Sequence, residues 1–122
     1  MNIFIDSSSL LFGESNKIDC IIQVYKQYGI LPTIPSCVIR ELEALSNNTG
    51  KTGKAARYLL ATIRMRPNYQ FLNHDKYKYA DNYFIDKAKK GDVVVTNDTK
   101  LIKSLRKKGI KAVRLSRKGF FI

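Results

Sequence analysis

The sequence is short of acids: 10 Asp and Glu face 22 Lys and Arg, a formal net charge of +12. It is also short of residues for thiol or soft-metal chemistry, with two cysteines, Cys20 and Cys37, and one histidine, His74. The cysteines fit no metal or redox spacing, so two reduced, structural thiols are expected, in the usual cytosolic pattern. His74 stands alone in a polar stretch and reads as a surface residue; nothing but its presence supports a dyad with cysteine. No apolar run approaches the roughly 20 residues that a membrane helix needs. The first residues lack a basic segment, and Asp6 interrupts their apolar stretch, so they do not read as a signal peptide. There is no internal repeat, linker or low-complexity tract. The expectation is one cytoplasmic domain, residues 1–122, with a modest core and no membrane contact.

The basic surplus has a bland reading, a solvated face. In so small a chain it favours a polyanionic partner. Nucleic acid is preferred to a membrane surface, because no lipidation motif or basic amphipathic anchor is present.

At 44% hydrophobic residues the chain should fold. Strand-like runs at residues 2–5, 30–34, 69–73, 92–96 and 110–115 alternate with helix-like stretches. The Ser7-Ser8-Ser9-Leu10-Leu11-Phe12 segment is a loop or short helix. Ile18, Ile21, Ile22 and Tyr25 give a helical period over 18–28, stopped by Gly29. Pro35-Ser36 opens a helix to about Ser46, and the polar run from Ser46 to Gly53 reads as a loop. Helices are further expected over 54–65, ending before Pro67, over 80–90, and over 99–108. This alternation argues for an α/β fold with a central, mainly parallel sheet flanked by helices.

Four of the scarce acids sit where local pattern disfavours a carboxylate. Asp6 closes Met1-Asn2-Ile3-Phe4-Ile5, and Asp98 follows Val93-Val94-Val95. In open parallel sheets, ligand sites form at the carboxyl ends of strands. Advancing about 100° per residue places Glu41 at the margin of the face made by Val38, Leu42 and Leu45, while Glu43 points away. The same construction puts Asp81 on one side with Ile85 and Ala88. Each acid also has an ordinary reading. Asp6, Asp81 and Asp98 stand near helix starts, where they could cap or meet the helix dipole, and Glu41 could be a rim charge paired with a base. Together they suggest one all-oxygen site. Converging carboxylates repel unless a cation is present, and Mg²⁺ or Mn²⁺ suits such ligands.

Other signals are weaker. Gly50-Lys51-Thr52-Gly53-Lys54 is not a phosphate loop: the pattern needs glycine where Leu45 stands, and Gly53-Lys54 is followed by Ala55. Lys51 and Lys54 could still touch phosphates from a mobile loop. Lys100, Lys103, Arg106, Lys107 and Lys108 decorate a helix whose core face is Leu101, Ile102 and Leu105, either as a solvated face or as phosphate contacts. Tyr77, Tyr79 and Tyr83 could stack on unpaired bases, with packing the role of at least one.

Over nearly its whole length the chain resembles PIN-domain nucleases. The resemblance lies in Ile3-Phe4-Ile5-Asp6-Ser7-Ser8, in the run from Pro35 to Leu45, in Tyr79-Ala80-Asp81-Asn82-Tyr83-Phe84-Ile85, and in Val93-Val94-Val95-Thr96-Asn97-Asp98. The last two segments, with Lys100 to Leu115, are most similar to a branch holding VapC-type toxins and small-subunit rRNA-processing nucleases. Members often carry two adjacent aspartates in the third segment; here the second is Asn82, which leaves Asp81 as the matching acid. The resemblance implies a three-layer PIN-like fold and Mg²⁺- or Mn²⁺-dependent endonucleolytic cleavage of single-stranded or looped RNA. Asp6, Glu41, Asp81 and Asp98 would hold the metal directly or through water, with Ser7 and Thr96 orienting a carboxylate or water. It further implies RNA as substrate and often a homodimer; the role expected first is the toxin of a toxin–antitoxin pair, with an antitoxin protein as partner, and an rRNA-processing endonuclease is the alternative. An RNA-binding module without activity is the remaining alternative. The tail Phe120-Phe121-Ile122 would offer apolar surface if it were not packed on the core.

Overall fold

Runs of three consecutive buried residues become the inner strands, and the segments between them become helices. The computed structural model describes residues 1–65, 70–72 and 75–122. Among these residues the order is β1 (Ile3–Ile5), α1 (Ser7–Ser15), α2 (Cys20–Tyr28), β2 (Thr33–Pro35), α3 (Ser36–Ser46), α4 (Lys51–Arg64), β3 (Gln70–Leu72), α5 (Ala80–Lys87), β4 (Val93–Val95), α6 (Thr99–Lys107) and β5 (Lys111–Val113). The strands form one sheet in the order β3-β2-β1-β4-β5. Every pairing is parallel: Phe4 lies opposite Thr33 on one side and Val94 on the other. The sheet is thus wholly rather than mainly parallel among the described residues, with helices flanking it as expected. Parallel strands covered on both faces need apolar residues throughout, which is why Ile3-Phe4-Ile5 and Val93-Val94-Val95 do not alternate with polar residues. All six of these side chains are buried.

The order places β1 at the centre, between β2 and β4. Its Phe4 ring meets Tyr83 and Phe84 of α5 at centroid separations of 6.0 and 5.9 Å. These tilted and edge-on contacts fix the face that α5 turns to the sheet.

Several elements differ from the sequence expectation for local reasons. Helix α2 starts at Cys20, where the Asp19 side chain accepts from the Ile22 N–H, so Ile18 stays outside it. Gly29 ends it in the left-handed conformation, at φ 69°. Strand β2 lies later than residues 30–34, and Pro35 both closes it and occupies the cap position of α3. The strand expected at 69–73 is present over Gln70–Leu72; Tyr69, Asn73, His74 and the helix-breaking Pro67 lie outside the described residues. The tail folds back through a bridge between Leu115 and Phe121, and Phe121 is buried beside the Tyr28 ring, leaving Phe120 and Ile122 exposed.

The largest revision concerns Lys51-Thr52-Gly53, which forms the start of α4 rather than the end of a loop. Arg57 of that helix donates to the carbonyls of Ser46 and Asn48, closing a tight α3–α4 turn. Gly53 is buried in the turn, and a Cβ on it would stand 1.9 Å from the Asn48 carbonyl oxygen. Glycine therefore serves close approach here, inside a helix. Gly53→Ala, which on helix propensity alone should stabilise, is expected to destabilise by about 1–3 kcal/mol through overpacking. The midpoint of denaturant unfolding reads the sign directly.

Candidate active site

Asp6 leaves the carboxyl end of β1 and occupies the cap position of α1, yet its side chain caps nothing. The Oδ2 atom instead accepts from the Ser8 hydroxyl at 2.7 Å and the Thr96 hydroxyl at 2.8 Å. Only 6% of the residue is exposed. Burial pushes its carboxyl above the ordinary value; the two hydroxyl bonds oppose the rise and the charge of nearby Glu41 adds to it. The capping explanation for Asp6 thus fails.

Glu41 is half buried on α3, as its helical angle implied. Its Oε1 accepts from the Ser7 hydroxyl at 2.8 Å and its Oε2 from the Ala80 N–H at 3.2 Å. Among the described residues it pairs with no base, so the rim ion pair is absent. One carboxylate thereby joins the starts of α1 and α5.

Asp98 keeps its ordinary role as well. It is exposed, and its Oδ1 accepts from the N–H groups of Lys100 and Leu101 at the start of α6. Its own N–H donates to the Thr96 hydroxyl at 3.1 Å. Thr96 thus links Asp6 to Asp98.

Asp81 departs from expectation. It is exposed in the first turn of α5, whose buried residues are Ala80, Tyr83 and Phe84. Its Oδ1 accepts from the Asn82 N–H at 3.0 Å. Ile85 and Ala88 do pack on the core, but the helix ends at Lys87 and Ala88 has extended backbone, φ −68° and ψ 135°, so the three residues do not form one helical side.

The structure therefore brings the four acid-bearing segments together through hydroxyls and N–H groups without closing the carboxylates into one cluster. Among the described residues no three His, Cys, Asp or Glu side chains gather as a metal site. The donor chemistry still suits Mg²⁺ or Mn²⁺. Such ions favour oxygen ligands, often bind through one or two carboxylates, and keep several waters. Asp6 and Glu41 offer a close pair, and the burial of Asp6 beside a second carboxylate is a situation that a cation relieves.

The Ser7 hydroxyl donates to Glu41 and the Thr96 hydroxyl to Asp6. The hydroxyl of Ser8 was not singled out by sequence; in a run of three serines nothing distinguishes it, yet it bonds Asp6 and also accepts from the Asn97 N–H. Asn97 in turn accepts from Ser9 and from the Leu115 N–H, tying the site to the end of the sheet. Asp92 is a further buried acid, but it lies at the other end of β4 and accepts from the N–H groups of Asn2 and Lys89.

An open cleft of about 660 Å³ adjoins the network, lined by Ser7 and Glu41, by Ala44 and Leu45 of α3, and by Lys78 and Tyr79. Lys51, Lys54, Lys100 and Lys103 are exposed and line neither this cleft nor the network. Lys100 and Lys103 follow Asp98 along α6, whereas Lys51 and Lys54 stand at the start of α4.

Asp75, also unsuspected from sequence, holds the segment before α5 in place. Its carboxylate accepts from the Ser36 hydroxyl, the Cys37 N–H, the Tyr77 N–H and Arg40. Burial alone would raise its carboxyl; the bonds from Ser36, Cys37 and Arg40, with the Arg40 charge, outweigh this and hold it below its ordinary 3.8. A depressed folded value gives stability that is present above the unfolded value and lost as pH falls through the folded one. Asp75→Asn should cost about 1.5–3 kcal/mol near neutral pH, the scale of charged hydrogen bonds. The deficit should shrink as pH drops through the range below the ordinary 3.8, which urea unfolding at graded pH measures.

A PIN-like domain family model matches residues 3–118. Among solved structures, the chain is similar to the PIN domain endonuclease Utp24, at 27% identity and a TM-score of 0.75, over 94% of this chain and 85% of that one. Comparison with curated proteins gives no match. With a family match spanning residues 3–118, this chain belongs to the PIN-like domain family.

Proposed function

We propose that the chain is a divalent-metal-dependent endoribonuclease acting as one domain, with Asp6, Glu41, Asp81 and Asp98 as its acids. The observation that carries the reading is the buried Asp6 carboxylate, held by hydroxyls beside Glu41 at the carboxyl end of the central strand. It neither caps a helix nor forms an ion pair among the described residues. Keeping such a group is costly for folding alone. Similarity to a PIN domain endonuclease supports cleavage over RNA binding without chemistry.

Asp6 and Glu41 would hold Mg²⁺ or Mn²⁺ directly, and Asp81 and Asp98 through water. The bound cation supplies an activated water and neutralises charge on the scissile phosphate. The chain's own residues do the positioning. Ser8 and Thr96 fix Asp6, while Ser7 and the Ala80 N–H fix Glu41. The carboxylates are thus held in place before substrate arrives, which lowers the cost of organising the reaction.

The +12 charge supports RNA as the polyanion. Lys100 and Lys103, three residues apart on α6, face the same side, and their ammonium groups form no ion pair among the described residues. They are the preferred phosphate contacts, with Lys51 and Lys54 secondary. For the biological role, processing of structured RNA such as rRNA is favoured by the likeness to an endonuclease. The toxin role, with its antitoxin and homodimer, rests on the family resemblance alone. Growth arrest on expression would favour the toxin, and discrete pre-rRNA cuts would favour processing. No helix among the described residues is long and apolar enough to cross a membrane, and Cys20 and Cys37 are free and buried. Both fit the proposed cytoplasmic setting.

Two outcomes are expected. Labelled structured RNA should be cut with Mg²⁺ or Mn²⁺ and left intact in EDTA. Asp6→Asn should abolish cutting while remaining folded, and Thr96→Val should slow it about 10- to 100-fold, as loss of a ligand-orienting partner does. RNA binding that survives unchanged in Asp6→Asn, without cutting by either protein, would support the module without activity. Separately, replacing Lys100 and Lys103 together by alanine should flatten the log–log salt dependence of single-stranded RNA binding by about 1.4, roughly 0.7 per phosphate contact.

A further inference from the structure

Three tyrosines lie close together in sequence, and the structure gives them different environments. Tyr83 is buried, edge-on to Phe4 and Phe84. Tyr77 packs edge-on against Tyr83 at 5.5 Å and its hydroxyl donates to Asp86. Tyr79 is 52% exposed. It stands at the extended residue just before α5, and the N–H of the next residue, Ala80, is bonded to Glu41. The backbone of Tyr79 is therefore anchored to the acid network, although its ring is free of the core.

That ring lines the open cleft shared with Ser7 and Glu41, together with apolar Ala44 and Leu45. The ammonium of Lys78 lies over it, 5.5 Å from the ring centroid. Arg40, another lining residue, is engaged by Asp75 and the Tyr77 carbonyl, which leaves Lys78 as the more available cation. A flat exposed aromatic, an apolar wall and an available cation match one chemistry: a planar base carried on a phosphate backbone. A paired base inside a duplex has both faces stacked already and cannot present one to Tyr79.

We propose that Tyr79 is the stacking platform for one unpaired base next to the phosphate facing Asp6 and Glu41, with Lys78 holding an adjoining phosphate. This rests on the endoribonuclease reading and deepens it by naming the residues that would hold the unpaired nucleotide expected of such a site, whatever that nucleotide's identity. Sequence tolerance follows because every base has a π-face.

The chain has no tryptophan, so Tyr79→Trp creates a single fluorescent reporter at the platform. In EDTA, which prevents cutting, its emission should fall on titration with a single-stranded oligoribonucleotide. It should change little with the same sequence as duplex or with an abasic ribose-phosphate oligomer. Tyr79→Ala should weaken single-strand binding by about 5- to 150-fold, with Tyr79→Phe within about twofold of wild type, since it keeps the ring. The abasic oligomer should bind wild type and Tyr79→Ala alike. Thermal unfolding checks that all variants remain folded. Equal single-strand affinity of wild type and Tyr79→Ala, or equal quenching by duplex, overturns the platform. If wild type cuts and binds RNA in that case, only the platform falls. If wild type neither binds nor cuts RNA, the endoribonuclease reading falls and the platform with it.

Discussion

The structure turns on a carboxylate that the fold buries without neutralising. Asp6 sits at the end of the central strand, and its compensation comes from two neutral hydroxyls, Ser8 and Thr96, rather than from a base. Neutral donors give less than the cost of desolvating a full charge beside another carboxylate, so the group is pushed toward its protonated form. A chain with 22 Lys and Arg could have supplied a cation to this position. Instead Arg40, on the same helix as Glu41, is directed to Asp75 at 2.6 Å. Among the described residues no base forms an ion pair with Asp6.

The sheet order explains how four acid-bearing segments, distant in sequence, come to one end of the fold. Each follows a different strand: Asp6 after β1, Glu41 on the helix after β2, Asp81 on the helix after β3, and Asp98 after β4. In a parallel sheet all carboxyl ends point one way, and β1 is flanked by β2 and β4, where connections diverge to opposite sides. Asp92 provides the internal contrast. It is nearly as buried as Asp6, but at the amino end of β4, where it receives two backbone N–H groups and serves the fold.

Much of this was legible in the residues. Apolar triplets followed by an acid marked β1 and β4, and the angle of Glu41 against Val38 and Leu42 placed it correctly at the core margin. The failures share a cause: local periodicity does not see long-range contacts. Asp81 was assigned to an apolar face because α5 was extended through Ala88, whereas packing of Tyr83 and Phe84 on Phe4 sets the true face. Gly50 and Gly53 read as a loop because glycine usually breaks helices; the carbonyl of Asn48, five residues before Gly53, is the reason for the second one. Asp75 was invisible because its partners Ser36, Cys37 and Arg40 lie more than thirty residues away. Of the three tyrosines, spacing could not tell that Tyr79 alone keeps its ring largely in the open.

The central claim is that Asp6 is buried beside Glu41 for a divalent cation rather than for the fold. Thermal unfolding of wild type and Asp6→Asn, each in EDTA and in millimolar-range Mn²⁺ or Mg²⁺, addresses it without relying on any substrate. Asparagine retains an oxygen for Ser8 and Thr96 while removing the charge. The account predicts that the variant in EDTA is at least as stable as wild type, and that the cation raises the melting temperature of wild type alone, as ligand binding to the native state requires. A variant that is clearly less stable in EDTA, together with a wild type that ignores both cations, would contradict it and make Asp6 a structural residue.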